Sequence, residues 1–211
     1  MFFRRRKIFT IVIIVLVSLT MLGSGFVALF SIPESSGGQE TELQLLEEEY
    51  GQRRQLAANL SQSAENKPEN RELRLALADA WLDVYILAGY LGKEETDGAL
   101  NKALDLYAEL TAAATDSAIQ LKYATAAFYN RDFALTGELL TDLLAREPEN
   151  VDALVIYGQY LFYGESDYDR AETAWQDALA LARDDSERSL LEYYISLVQT
   201  AKNAAAGAES G

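Results

Sequence analysis

Near its start the chain carries a long apolar run. Residues 8–30 are 23 positions without a charge, and a helix of about 20 apolar residues is long enough to cross a bilayer. The run is longer than the apolar stretch of a cleaved signal peptide, and Gly23-Ser24-Gly25 makes a poor cleavage site. The pattern therefore predicts one retained transmembrane helix over 8–30. Residues 31–39 hold Pro, Ser and Gly-Gly and read as a short tether. Over 40–65 the apolar positions thin to Leu43, Leu46, Tyr50, Ala57 and Leu60, with Arg53 interrupting them. Their spacing of three or four makes one narrow stripe on an acidic helix. Such a helix can pack on its successor or pair with a second copy in a short coiled coil.

Residues 68–203 read as a series of strong helices. Pro68-Glu69-Asn70 and Pro148-Glu149-Asn150 each precede one; proline ends the helix before it and asparagine caps the helix after it. The last helix is expected over 186–203, capped by Ser186, with Leu190, Leu191, Tyr194, Ile195 and Val198 as its buried stripe. Residues 204–211 are expected to be a disordered tail. Abundant Ala and Leu, with few β-branched residues, make everything after the apolar run an all-α part.

These helices repeat. In 151–184, Leu154, the pair Tyr157-Gly158 and Leu161 fall where the tetratricopeptide pattern W-x2-L-G-x2-Y has its Trp, Leu-Gly and Tyr. The turn Gly164-Glu165-Ser166-Asp167-Tyr168-Asp169 is similar to that family's G-D-Y-D turn with one residue added. Ala171 and Trp175 match A-x3-F, and Ala178 is the next small site. A second copy begins 34 residues earlier at Ser117, with Tyr123-Ala124, Ala127, the turn Asp132-Phe133, Thr136, Leu140 and a closing Pro148. A third begins at Arg71, with Leu77-Ala78, Trp81, Ala103, Tyr107 and Leu110; its excess length lies around 85–98, where Gly89, Gly92 and Gly98 mark breaks. None keeps the first-helix Trp. The chain thus resembles the tetratricopeptide repeat (TPR) family. The resemblance implies a helical repeat solenoid of about three helix pairs plus a capping helix, preceded here by one transmembrane helix. Small Ala78, Ala124 and Gly158 would let paired helices approach, with Trp81, Tyr107, Leu140, Leu161 and Trp175 filling the space between pairs.

Charge sets the orientation. Arg4, Arg5, Arg6 and Lys7 form a basic tail over 1–7; taking these four from the net charge of −15 leaves −19 on residues 31–211. Basic residues flank the cytoplasmic end of a span, so the N-terminus is expected in the cytoplasm and the repeat domain outside it, in a bacterial layout. An acidic surface repels phosphate, which excludes nucleic acid and docking on anionic lipid through the repeat domain. A basic partner fits, as does a plain solvated surface. With no Cys and no His, disulfides, thiol chemistry, imidazole-based catalysis and most zinc, copper or haem sites fall away. The chain is read as no enzyme, with no cofactor and no metal. Glu165, Asp167 and Asp169 lack the spacing of an EF-hand, and Asp167 reads as a helix cap.

TPR-like proteins hold peptides on the first helices of their pairs. The resemblance points to Lys122, Thr125 and Tyr129 in the middle copy, and to Val155, Gln159, Phe162 and Tyr163 in the last, as an exposed groove. Leu75, Asp79 and Leu82 are the first copy's equivalents. Tyr129 and Tyr163 offer the largest amphipathic contact. Lys122 is the groove's single Lys, Arg or Asn, with Asp79 and Asp152 near, so an apolar or basic segment is expected rather than a terminal carboxylate. The expected function is a membrane-tethered scaffold or accessory subunit, a layout similar to accessory factors of the secretion translocon or of cytochrome c assembly. The alternatives are a holdase-like chaperone for exported chains, or a structural homo-oligomer joined through the 40–65 helix.

Overall fold

The computed structural model describes residues 38–93 and 96–209. The expected span over 8–30, most of the tether and the basic tail lie outside them. Among the described residues no helix is long and apolar enough to cross a membrane. The described residues are helices and turns without a strand, and the chain divides into two compact units, one ending at Ala113 and one beginning at Ala114.

The first unit holds α1 (Gly38–Asn66), α2 (Arg71–Tyr90) and α3 (Thr96–Ala113), with α2 packed against both others. From Leu46 onward the α1 stripe behaves as its spacing predicts, whereas Leu43, expected in it, is 54% exposed. Tyr50 and Ala57 are buried, and Leu46 and Leu60 pack beside them against Ala80, Val84 and Leu87 of α2. Arg53, which breaks the stripe, reaches across to Asp83 of α2 at 2.8 Å. Between α2 and α3, Ala78 and Ala103 are fully buried, and Tyr107 donates its hydroxyl hydrogen to Asp79 at 2.7 Å. The excess length around 85–98 is partly a longer α2: Gly89 lies inside it, and the helix ends at Tyr90, just before Leu91 and Gly92. Gly92 sits at φ +63, where its amide reaches Gly89 and the Lys93 amide reaches Ala88, closing the last carbonyls.

The second unit runs α4 (Ser117–Tyr129), α5 (Phe133–Arg146), α6 (Val151–Tyr160), a π-helical turn (Leu161–Glu165), α7 (Tyr168–Ala180) and α8 (Asp185–Glu209). The pairs α4/α5 and α6/α7 stack through α5 and α6, and α8 covers α7. Each start is capped from the sequence: Asp116, Asp132, Asn150 and Asp167 accept amide hydrogens of the first turns, as Asn70 does for α2. Two expectations for α8 are corrected. Its cap is Asp184, which accepts the Glu187 amide at 2.8 Å, rather than Ser186. The helix also continues to Glu209, past the expected start of a disordered tail at 204, because the Ala-rich stretch there consists of the strongest helix former.

Candidate protein-binding face

Gly158 and Trp175 fix the α6/α7 pair. The indole lies so close to the Gly158 backbone that a Cβ would fall 2.3 Å from Nε1. Trp175 is fully buried, donates Nε1–H to the Val155 carbonyl at 3.1 Å, and stacks on Tyr194 of α8 with centroids 4.8 Å apart. Thus the A-x3-aromatic spacing places a large ring where the first helix has none.

The residue added to the turn is absorbed as a π-helical turn. Its widened coil ends at Ser166, in the left-handed region at φ 56, where the Asp167 amide reaches back to the Leu161 carbonyl at 2.9 Å. An inserted residue of this kind bulges the helix and re-aims its side chains. Here it carries Phe162 and Tyr163. Phe162 meets Tyr163 edge-on at 4.7 Å, Tyr168 at 5.2 Å and Trp175 at 5.8 Å. Tyr163 in turn meets Phe128 of α4 at 6.5 Å, and Phe128 meets Tyr129 at 6.3 Å and Phe133 at 6.0 Å. Gly164 gives Phe133 room, since a Cβ there would lie 2.9 Å from the ring. The result is a continuous row of half-buried rings from the end of α4 to the π-helical turn. Burial, reinforced by neighbouring Tyr194 and Tyr193, pushes the Tyr163 phenol above its ordinary pKa, so it stays neutral.

The structure sorts the expected groove residues into two sets. Tyr129, Phe162 and Tyr163 join this row, and Lys122 is half-buried on the same α4. Thr125, Val155 and Gln159, expected on an open wall, are instead buried at 3%, 5% and 0% exposure. Thr125 turns its hydroxyl back to the Leu121 carbonyl at 2.8 Å. Gln159 donates to the Tyr194 hydroxyl at 2.7 Å, which fastens α8 to α6 and closes that stretch of α6. In the first unit Leu82 is likewise buried, while Leu75 and Asp79 are half-buried. Phe128 belongs to the row although the repeat register did not pick it out; the adjacent pair Phe128-Tyr129 ending α4 was the available signal. Of the acids in the turn, Glu165 accepts the Tyr160 hydroxyl at 3.1 Å, Asp167 caps α7 and Asp169 pairs with Lys202 at 2.5 Å.

No family model matches the sequence, and no curated protein matches it. Among solved structures, the crystal structure of MamA, a TPR-containing helical protein, aligns with a TM-score of 0.52 at 14% identity. The alignment covers 83% of this chain and 99% of MamA. The fold is TPR-like. Identity this low carries the fold and leaves the TPR-like chain's partners to be argued from its own residues.

Proposed function

We propose that the chain is a membrane-tethered protein–protein interaction scaffold with no catalytic step of its own. In this reading residues 8–30 span the membrane with residues 1–7 in the cytoplasm, and the TPR-like part works on the other side. The 23 uncharged residues behind a basic flank support the anchor. The observation carrying the binding role is the aromatic row Tyr129–Phe128–Tyr163–Phe162. Half-buried rings on rigid helix ends present large contact area with little side-chain freedom to lose. The acidic surroundings, with Lys122 the single basic residue among the groove positions, favour an apolar or basic segment over an acidic one.

The test is crosslinking in cells followed by mass spectrometry. Full-length protein is compared with a Tyr129→Ala/Tyr163→Ala variant whose helicity and melting are checked in parallel. One or two membrane or exported proteins captured by the parent and lost in the variant support the scaffold. Many unrelated exported chains would instead indicate a holdase. Unchanged partners in a folded variant overturn the face.

A further inference from the structure

The aromatic face continues past the π-helical turn onto α8. That helix buries Glu187, Leu191, Tyr194 and Val198. On its flank toward α7, Gln199 and Lys202 reach Glu172 at 3.5 and 2.6 Å. At about 100° per residue, Leu190, Tyr193 and Leu197 fall together on the opposite flank. The two leucines are half-buried, and Tyr193 is 41% exposed. Tyr193 lies near enough to Tyr163 to disfavour its phenolate, and its ring meets Tyr194 at 6.1 Å. This stripe carries the row Tyr129–Phe128–Tyr163 onto a further helix.

Three features of this face narrow its occupant. Phe128 is tilted 57° to Tyr129 and 53° to Tyr163, so neighbouring rings leave wedges rather than a flat wall. The Tyr163 and Tyr193 hydroxyls make no hydrogen bond among the described residues, so both are donors that a partner's acceptors can take over from water. The unit that carries them, 114–211, has 17 acids against 7 bases. We infer that the face holds an extended proline-rich segment with basic residues at its ends. A polyproline II helix spends none of its carbonyls internally, so the phenols can donate to them. An α-helix spends all but its last few carbonyls on itself and would leave the phenols without acceptors. Pyrrolidine rings fill the wedges with little freedom to lose, as proline-rich segments do on aromatic-lined grooves. The basic ends meet the acidic surface around the row. This occupant rests on the aromatic row being the binding face, and it makes Tyr193 an anchor beside Tyr129 and Tyr163.

The test is fluorescence anisotropy on the full-length protein in detergent with three labelled peptides. The first alternates Pro and Leu between Arg ends, the second has Ala for every Pro, and the third has Glu for every Arg. The first is expected to bind, and the other two to bind about tenfold more weakly or worse. Tyr163→Phe and Tyr193→Phe keep the rings and remove only the hydroxyls. Each is expected to weaken the first peptide about fivefold, the loss of one hydrogen bond. Equal binding of the Ala or the Glu peptide, or a Pro peptide indifferent to both Phe variants, overturns the proposal. An Ala peptide that binds best and is lost in Tyr129→Ala/Tyr163→Ala overturns it while the aromatic face stands. A Pro peptide that binds a folded Tyr129→Ala/Tyr163→Ala variant undiminished overturns the proposal and the face together. Binding of none of the three overturns the proposal and leaves the face to the crosslinking result.

Discussion

The Trp175 indole occupies the place where any side chain at position 158 would begin, with Nε1 2.3 Å from a Cβ built on Gly158. The ring has nowhere to go: its N–H is bonded to Val155 and its face is stacked on Tyr194. Gly158→Ala is therefore expected to destabilise the second unit by about 1–3 kcal/mol through overpacking. Gly51 is the opposite case, an exposed α1 position with nothing within 4 Å of a built Cβ. There Gly51→Ala stabilises by about 0.5–1 kcal/mol. Denaturant melts of the two variants should shift in opposite directions.

Arg131 is the second backbone test. It sits at φ 61 after α4, where its amide reaches Phe128 and the Asp132 amide reaches Ala127. The same geometry is met by Gly92 in the first unit, but here a side chain bears the cost of the left-handed region. Arg131→Gly should raise stability by about 0.5–1 kcal/mol, the relief exceeding the extra freedom of glycine when unfolded. A fall in the thermal midpoint would contradict this.

The pH dependence turns on Arg183. Its guanidinium bonds Glu187 at 2.7 Å and Asp152 at 3.0 Å, and Glu187 is 6% exposed. Burial tends to raise the Glu187 pKa, but the hydrogen bonds and charge of Arg183 outweigh it and hold the carboxyl below its ordinary value. A lowered folded value means the stabilisation is present above the ordinary carboxylate range and is lost as pH falls through the folded value. Asp152 acts in the opposite sense: burial raises its pKa despite Arg183, so its protonation relieves the fold at falling pH. Arg183→Gln strands a buried carboxylate. It should cost about 1–3 kcal/mol at neutral pH, with the difference from the parent shrinking as pH falls below the ordinary carboxylate range and Glu187 takes up a proton. A difference independent of pH would remove Glu187 from the account.

The caps and the pairing were legible because they are local. Asn70, Asn150 and Asp167 cap by contacts three residues away, and Gly158 and Trp175 stand at fixed offsets in one helix pair. Contacts across larger separations were not legible. Gln159 was read as groove wall because the family resemblance puts that face of a first helix in the open groove. It is buried by Tyr194, 35 residues on. Ser186 looked like the cap of α8, but Asp184 stands closer to the chain's exit from α7 and takes the amide first. The added residue near Gly164 was visible as a length mismatch, while its form, a π-helical turn that swings Phe162 and Tyr163 into line with Phe128, depends on tertiary packing.

The role of α8 gives the final prediction. Leu191 and Val198 are fully buried and Tyr194 is 1% exposed, so this helix supplies the neighbour that α7 would otherwise lack. Each large apolar side chain buried contributes about 1.5–3 kcal/mol, and three together rival the roughly 5–15 kcal/mol that holds a domain. A terminal repeat without its cap is not expected to stay folded. Lys202 adds ion pairs to Asp169 and Glu172 near the far end, the last ion pairs along α8 among the described residues. Truncation after Asn203 should leave the melting temperature nearly unchanged. Truncation after Asp184 should unfold the second unit. In a Trp81→Phe background the fluorescence of Trp175, then the chain's single tryptophan, reports the difference: a blue emission retained by the first truncation and a red shift in the second. Blue emission retained without α8 would mean that the α6/α7 pair buries Trp175 unaided, and that α8 is an attachment rather than the cap.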